Sequence, residues 1–209
     1  MPLTKNCKIC FKQIKENDLS TIFNKDICLC NTCFQELDPK FIQFNVDGYN
    51  ATAIYEYNEF VKKLIYQYKG CFDYELYQVY LNLYYKEINI RYKDYVIIPI
   101  PSYKEDDEER GFNHVIEVFK TIGLKMVPAL EKTSHFKQAN NTAKKRKEIH
   151  KYLRTKSDVD IINKKVLIVD DIYTTGATMS AAIKLIEKLK PRKIEVFVLA
   201  KTKDKSTKN

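Results

Sequence analysis

With 209 residues, 44% of them hydrophobic and 30% charged, the chain can bury one substantial α/β core and a small accessory module, but not two full-sized domains. No apolar run approaches the ~18 residues of a membrane-spanning helix, and the start, Met1 to Gln13, lacks the apolar stretch of a secretory signal, so a cytoplasmic protein with no membrane insertion is expected. The formal net charge of +9 favours polyanionic partners such as nucleic acid, anionic lipid or phosphorylated small molecules.

The first predicted element is a metal module. Five of the six cysteines lie within the first 33 residues, and Cys7-x2-Cys10 and Cys30-x2-Cys33 are separated by nineteen residues, the spacing of a zinc ribbon or knuckle. Each C-x2-C turn lets two thiolates converge on a cation. Two turns complete a closed tetrahedral site with no position for a reacting water, so Cys7, Cys10, Cys30 and Cys33 are predicted to hold a structural zinc. Four thiolates also suit iron, and the closed site favours zinc. Cys28 is a substitute for Cys30, although Cys28-x4-Cys33 lacks the tight turn. A segment this short cannot bury a core of its own, so the metal must supply much of its folding free energy. The isolated Cys71 reads as a small core residue.

After the module, residues 37–48 contain Pro39 and Gly48 and read as a linker or the edge of the next domain, which divides the chain into a four-cysteine module at 1–45 and a larger domain at 46–202. Residues 58–68 place Phe60, Val61, Leu64, Ile65 and Tyr68 on one helical face, and residues 76–88 repeat that rhythm, predicting two amphipathic helices. The β-branched run from Tyr95 ends in alternating prolines at Pro99 and Pro101, as for a buried strand emerging into a constrained loop. A charged mobile loop is predicted over 104–110, then a helix carrying Val115, Ile116 and Phe119, then a short strand near 124–127. Residues 132–165 are polar and read as a partly helical excursion over the cleft, with eleven Lys or Arg against three acids. The clearest unit follows: strand 166–169, loop 170–177, helix 178–189 and strand 194–199, a βαβ crossover that requires parallel pairing. The fold class is therefore α/β with a parallel sheet, and residues 203–209 form a basic, disordered tail.

The stretch "VLIVDDIYTTGATM", Val166 to Met179, carries the candidate ligand site. In a parallel sheet, ligands lie beyond the carboxyl ends of the strands, where a helix N-terminus presents unpaired N–H groups and its positive dipole end to a phosphate. Gly176 permits close approach, and Thr174, Thr175 and Thr178 add hydroxyl donors. Asp170 and Asp171 can accept hydrogen bonds from vicinal hydroxyls and can hold Mg²⁺ through water. A ribose ring with a 5′-phosphate satisfies both halves. The five glycines have the spacing of neither G-x-G-x-x-G nor G-x-x-x-x-G-K-[ST], which disfavours a dinucleotide site and an ATP P-loop.

That stretch resembles the 5-phosphoribosyl 1-pyrophosphate (PRPP) motif of type I phosphoribosyltransferases. Together with the doubled C-x2-C pairs, "PIPS" at Pro99 to Ser102 and "RGFN" at Arg110 to Asn113, the chain resembles the ComF/ComFC competence family over nearly its full length. The resemblance implies a type I phosphoribosyltransferase-like parallel sheet flanked by helices, with a small N-terminal zinc module. It implies Asp170 and Asp171 at the ribose hydroxyls, with Thr174, Thr175, Gly176, Ala177 and Thr178 around the 5′-phosphate. Pro101 and Ser102 would face the pyrophosphate of Mg²⁺-bound PRPP, and Arg110 on the mobile loop would swing over it. Gln138 and Arg146 match a family spacing, whereas Ile149 stands where the pattern has Asn. The family is basic ahead of "RGFN", whereas here Glu105 to Glu109 is "EDDEE", which opposes pyrophosphate unless Mg²⁺ or lysines intervene.

Two functions follow from the resemblance. One is a competence protein in DNA uptake that binds PRPP and single-stranded DNA, with Lys144, Lys145, Arg146 and Lys147 neutralising phosphates, aromatic side chains offering stacking faces, and a helicase-like competence partner. The other is an active phosphoribosyltransferase acting on a nitrogenous base. No base pocket is assignable and turnover is left open. His114, His135 and His150 each stand alone and read as surface or hydrogen-bonded residues.

Overall fold

A computed structural model describes residues 5–14, 27–133 and 152–203. Lys144, Lys145, Arg146 and Lys147, with His135, Gln138, Ile149 and His150, lie outside the described residues, as does the tail from 204. The main sheet contains β1 (Ile42–Val46), β2 (Tyr49–Glu56), β3 (Tyr95–Pro99), β6 (Lys165–Tyr173) and β7 (Lys193–Lys201), and β4 (Leu130–Lys132) pairs with β5 (Leu153–Thr155) in a small antiparallel ribbon. The sheet order is β1-β2-β7-β6-β3, with β1 antiparallel to β2 and all other pairs parallel. The predicted α/β class with a parallel sheet is the one observed.

The two central strands carry the apolar runs Val166–Val169 and Val196–Ala200, buried on both faces, which is why they read as continuous hydrophobic stretches. The period-two alternation of a strand then divides them. Leu167, Val169, Phe197 and Leu199 face a core built with α2 (Glu59–Gly70), α3 (Tyr85–Arg91), α5 (His114–Phe119) and the cysteine module. Val166, Ile168, Val196 and Val198 face the other core, under α6 (Ala177–Glu187) and the β4–β5 ribbon.

Several local expectations are corrected. Of the two readings of 37–48, the domain edge holds and the linker does not: the stretch contains β1, the edge strand of the main sheet, which crosses the expected 45/46 boundary and forms a hairpin with β2. Asp47 and Gly48 turn it with φ of 50° and 92°, the Asp-Gly geometry that matches strand twist, and the Gly48 N–H donates to Asn45 Oδ1 at 2.8 Å. The helix predicted over 76–88 splits into a 3₁₀ turn, Tyr74–Gln78, and α3. Val79, Tyr80 and Leu81 are buried in succession, which one helical face cannot do, and the Tyr80 carbonyl accepts from the buried Tyr55 hydroxyl at 2.7 Å. The strand expected at 124–127 is a single parallel bridge between Ile97 and Met126. Cys71 is exposed at the C-terminus of α2 instead of in a core.

The largest correction concerns 104–110, which is helix α4 (Lys104–Arg110) and not a loop. Glu105, Asp106 and Asp107 fill its first turn, where negative charge meets the positive dipole end, and Arg110 sits in the last turn. Gly111, at φ 82°, ends the helix with its N–H on the Asp107 carbonyl. Likewise, β6 continues to Tyr173, so both aspartates are strand residues and the turn before α6 is only 174–176. Of the basic 132–165 stretch, the described portion begins at the end of β4, takes up again with β5 and runs on to Lys165, the first residue of β6. Among the described residues, no helix is long and apolar enough to cross a membrane.

Candidate functional site

Two clusters of chemistry-bearing side chains emerge. In the first, the Sγ atoms of Cys7, Cys10, Cys30 and Cys33 all lie within 4.8 Å of one another, and Cys10 and Cys30 approach to 3.6 Å. The first knuckle closes through the Phe11 N–H on the Cys7 carbonyl at 2.8 Å, with Phe11 at φ 61°. Cys30 caps α1 (Asn31–Leu37), which carries Cys33 in its first turn. Cys28 lies outside the cluster, and its thiol is pushed up to about 12, chiefly by burial. Cys30, not Cys28, therefore joins the set. Burial raises the Cys7 thiol, but backbone hydrogen bonds from Cys10, Cys30 and Ile9 outweigh it and bring it to about 7, whereas burial pushes Cys30 and Cys33 up. Four crowded sulfurs, two of them held back from ionising by burial, fit a soft dication, whose charge makes thiolates of them all.

The second cluster begins at the carboxyl end of β6. Strand alternation sends the two adjacent acids to opposite faces: Asp171 continues the row Leu167–Val169, and Asp170 continues Val166–Ile168. Asp171 thus meets the helical face. Its Oδ2 accepts from Lys69 Nζ at 2.6 Å and lies 3.3 Å from His114 Nε2, while its Oδ1 accepts from the Ile172 N–H at 2.7 Å. Asp170 Oδ1 accepts from the Asp171 N–H at 2.9 Å.

The electrostatics diverge accordingly. Burial raises the Asp171 carboxyl, but the Lys69 charge and the His114 hydrogen bond overcome it and hold the group well below the usual aspartate range. Burial and the neighbouring Asp171 push Asp170 well above that range, and burial lowers the Lys132 ammonium, which Asp170 partly restores. His114 is held below its ordinary value by burial, against the opposing pull of Asp171. Its neutral ring donates from Nε2 to Asp171, leaving Nδ1 to accept from Arg110 Nη1 at 3.4 Å. Arg110 Nε in turn donates to the Lys69 carbonyl at 3.1 Å. A ring of contacts thus runs from the Lys69 backbone through Arg110, His114 and Asp171 to the Lys69 ammonium.

The "RGFN" residues build the next wall. Arg110 ends α4, and Gly111 turns the chain. Phe112 stacks on Tyr68 with ring centroids 5.2 Å apart, and Asn113 caps α5 by accepting from the Ile116 N–H at 2.9 Å. Arg110 does not swing on a mobile loop: its side chain is 9% exposed and Nη1 lies 3.0 Å from Asp107 Oδ1.

A cavity of about 200 Å³ opens over these groups and brings together Pro101, Ser102, Arg110, Asp170, Asp171 and Thr178 from the predicted set. Thr174 and Thr175 stand exposed in the turn beside it. Gly176, at φ 76°, is the N-cap of α6 and offers no side chain to the first-turn N–H groups of Ala177 and Thr178. A Cβ there would come within 2.9 Å of Tyr173 Cζ, so the position demands glycine on both counts. Sequence reading missed Lys69 and Lys132 and took His114 only for a surface or hydrogen-bonded residue; all three line the cavity. A larger cavity, about 510 Å³, lies at the seam with the cysteine module and has no carboxylate among the described residues of its lining.

The model of the phosphoribosyl transferase domain family matches residues 112–209. The competence protein ComFC of Streptococcus pneumoniae is 27% identical over 93% of this chain and 99% of its own length. ComFC of Bacillus subtilis is 28% identical over 72% of this chain and 63% of its own length. The chain is thus similar to ComFC competence proteins over most of its length and matches the phosphoribosyl transferase domain in its C-terminal part. Among solved structures, adenine phosphoribosyltransferase from Saccharomyces cerevisiae is 20% identical, covering 81% of this chain and 88% of that chain with a TM-score of 0.41. The ComFC-like fold is a phosphoribosyltransferase-like parallel sheet flanked by helices, with a four-cysteine cluster at one side.

The buried histidine of this ComFC-like site makes stability depend on pH. Its folded pKa lies below its unfolded value, so the unfolded chain takes up the proton first. Stability is complete above about pH 6.5 and is lost as pH falls below it. Asp171, whose folded pKa is also lowered, contributes above the ordinary aspartate range and loses its contribution below it. Urea unfolding at pH 7.5 and 5.5 should show a loss on acidification that His114→Asn reduces. An unchanged pH difference in that variant would contradict the assignment.

Proposed function

We propose that this chain is a competence-related, phosphoribosyltransferase-like protein that binds PRPP with Mg²⁺ at the β6 cavity and acts on single-stranded DNA in the cytoplasm. The observation that carries this reading is the carboxylate pair at the end of β6, enclosed with Lys69, Lys132 and Arg110 in one cavity beside a glycine-capped helix. Asp170 and Asp171 would take the ribose hydroxyls and Mg²⁺, and the turn from Thr174 to Thr178 would take the 5′-phosphate. Pro101, Ser102 and Arg110 would face the pyrophosphate. The names of the Streptococcus and Bacillus relatives support a place in competence; a helicase-like partner would join the protein there. Lys144, Lys145, Arg146 and Lys147 would meet DNA phosphates.

Titration calorimetry with PRPP and Mg²⁺ tests the site. Asp170→Asn with Asp171→Asn should abolish binding, and neutralising Lys144 to Lys147 should weaken single-stranded DNA binding and flatten its salt dependence. PRPP binding unaffected by the double substitution would overturn the site. DNA affinity insensitive to the basic segment and to salt would overturn the DNA assignment.

The match to the phosphoribosyl transferase domain favours a second reading, phosphoribosyl transfer to a nitrogenous base, in which Lys69 and Arg110 would stabilise the departing pyrophosphate. Pyrophosphate release in the presence of a base would establish it.

The four cysteines would hold one structural zinc. Metal analysis should give about one zinc per chain, and chelation or Cys10→Ser should lower the unfolding midpoint, since binding free energy at such a site is folding free energy. Full stability in a metal-free preparation would overturn this role.

A further inference from the structure

The acidic segment has a specific address. Among the carboxylates of α4, Asp107 gathers the polar donors of the adjoining wall. Ser102 Oγ donates to its Oδ1 at 2.5 Å, Arg110 Nη1 donates to the same oxygen at 3.0 Å, and Asn113 Nδ2 donates to Oδ2 at 2.7 Å. Asn113 Nδ2 also reaches Ser102 Oγ at 2.8 Å. A hydroxyl, a guanidinium and an amide converging on two carboxylate oxygens is the donor set that would bind a phosphate oxyanion. Ser102 and Arg110 also line the cavity, and the next acid, Asp106, lines it directly.

Asp107 itself lines the adjoining cavity of about 290 Å³, which shares Pro101, Ser102 and Lys132 with this one, and it occupies from behind the donors that a ligand's anion would use. A pyrophosphate entering from the cavity must draw Ser102 and Arg110 away from Asp107 and must approach Asp106. Both steps oppose it: the first leaves a partly buried carboxylate short of partners, and the second brings like charges together. The other end of the cavity, with Asp170, Asp171 and the α6 N-terminus, carries no such occupant among the described contacts.

We infer that Asp107 is an internal occupant of the anion corner, so that the cavity selects 5-phosphoribosyl ligands lacking a 1-pyrophosphate, such as ribose 5-phosphate, over PRPP. This rests on reading the cavity as a 5-phosphoribosyl site. Glu108, exposed on the same helix and paired with Lys104, makes the control: Glu108→Gln removes the same charge but none of the three contacts.

The test compares ribose 5-phosphate with PRPP and Mg²⁺ by calorimetry on the full chain, its Asp107→Asn and Asp107→Ala forms, and Glu108→Gln. The unmodified chain should bind ribose 5-phosphate more tightly than PRPP. Both Asp107 variants should tighten PRPP by about tenfold or more while moving ribose 5-phosphate less than about twofold, and Glu108→Gln should leave both within about twofold. Thermal unfolding of each variant confirms folding, and either Asp107 substitution suffices for the comparison. PRPP preferred by the unmodified chain, an unchanged ratio in a folded Asp107 variant, or an equal gain in Glu108→Gln would overturn the inference while leaving the 5-phosphoribosyl reading intact. Binding of neither ligand to any form would overturn that reading and the inference with it.

Discussion

The arrangement of the cavity depends on one ion pair, that of Lys69 with Asp171. The two residues are 102 positions apart in the chain, and both partners are largely removed from solvent, with side chains 32% and 13% exposed. A carboxylate buried at the end of a central strand is tolerable only when it is matched. The match comes from the far end of the helix that follows β2, so the docking of α2 on the sheet and the ionisation of Asp171 are one event. Arg110 and His114 then tie the "RGFN" turn to the same pair, through the Lys69 carbonyl on one side and the carboxylate on the other.

The sequence was most readable where a local rule decided the outcome. The βαβ unit of β6, α6 and β7 announced itself through apolar runs and a glycine between hydroxyl residues, and the doubled cysteine knuckles through their spacing. The Asp47-Gly48 turn was readable by the same token but was overlooked, because Pro39 and the polar residues around it suggested a linker or a domain edge without a hairpin. Lys69 and Lys132 were not readable at all, and His114 only as a surface or hydrogen-bonded residue. Nothing in the local pattern of a lysine at the end of an amphipathic helix, or of a histidine after an N-cap, says which strand end it will face. Only the layer topology, with Leu167, Val169 and Asp171 sharing a face with α2 and α5, brings them together.

The acidic run 105–109 shows how composition misleads when position is ignored. Read as a block of like charge, it suggested a solvated, mobile loop. Within the fold, three of its acids sit where the dipole of α4 welcomes them, and one is consumed by Ser102, Arg110 and Asn113. The same residues that looked like electrostatic noise therefore order the wall of the cavity and hold Arg110 in place.

The cysteine module has a reach beyond its own fold. Cys7, Cys28, Cys33 and Leu37 belong to the same apolar core as Tyr55, Leu64, Tyr68 and Phe197, and the helix bearing Cys33 lies against the one that ends near Lys69. The module is therefore a supporting wall of the ligand-binding half and not a detachable appendage. Oxidation of the four clustered thiols, by expelling whatever metal they hold, would be felt at the sheet's carboxyl end as a loss of rigidity in α2, linking the redox state of the surroundings to the shape of the distant cavity.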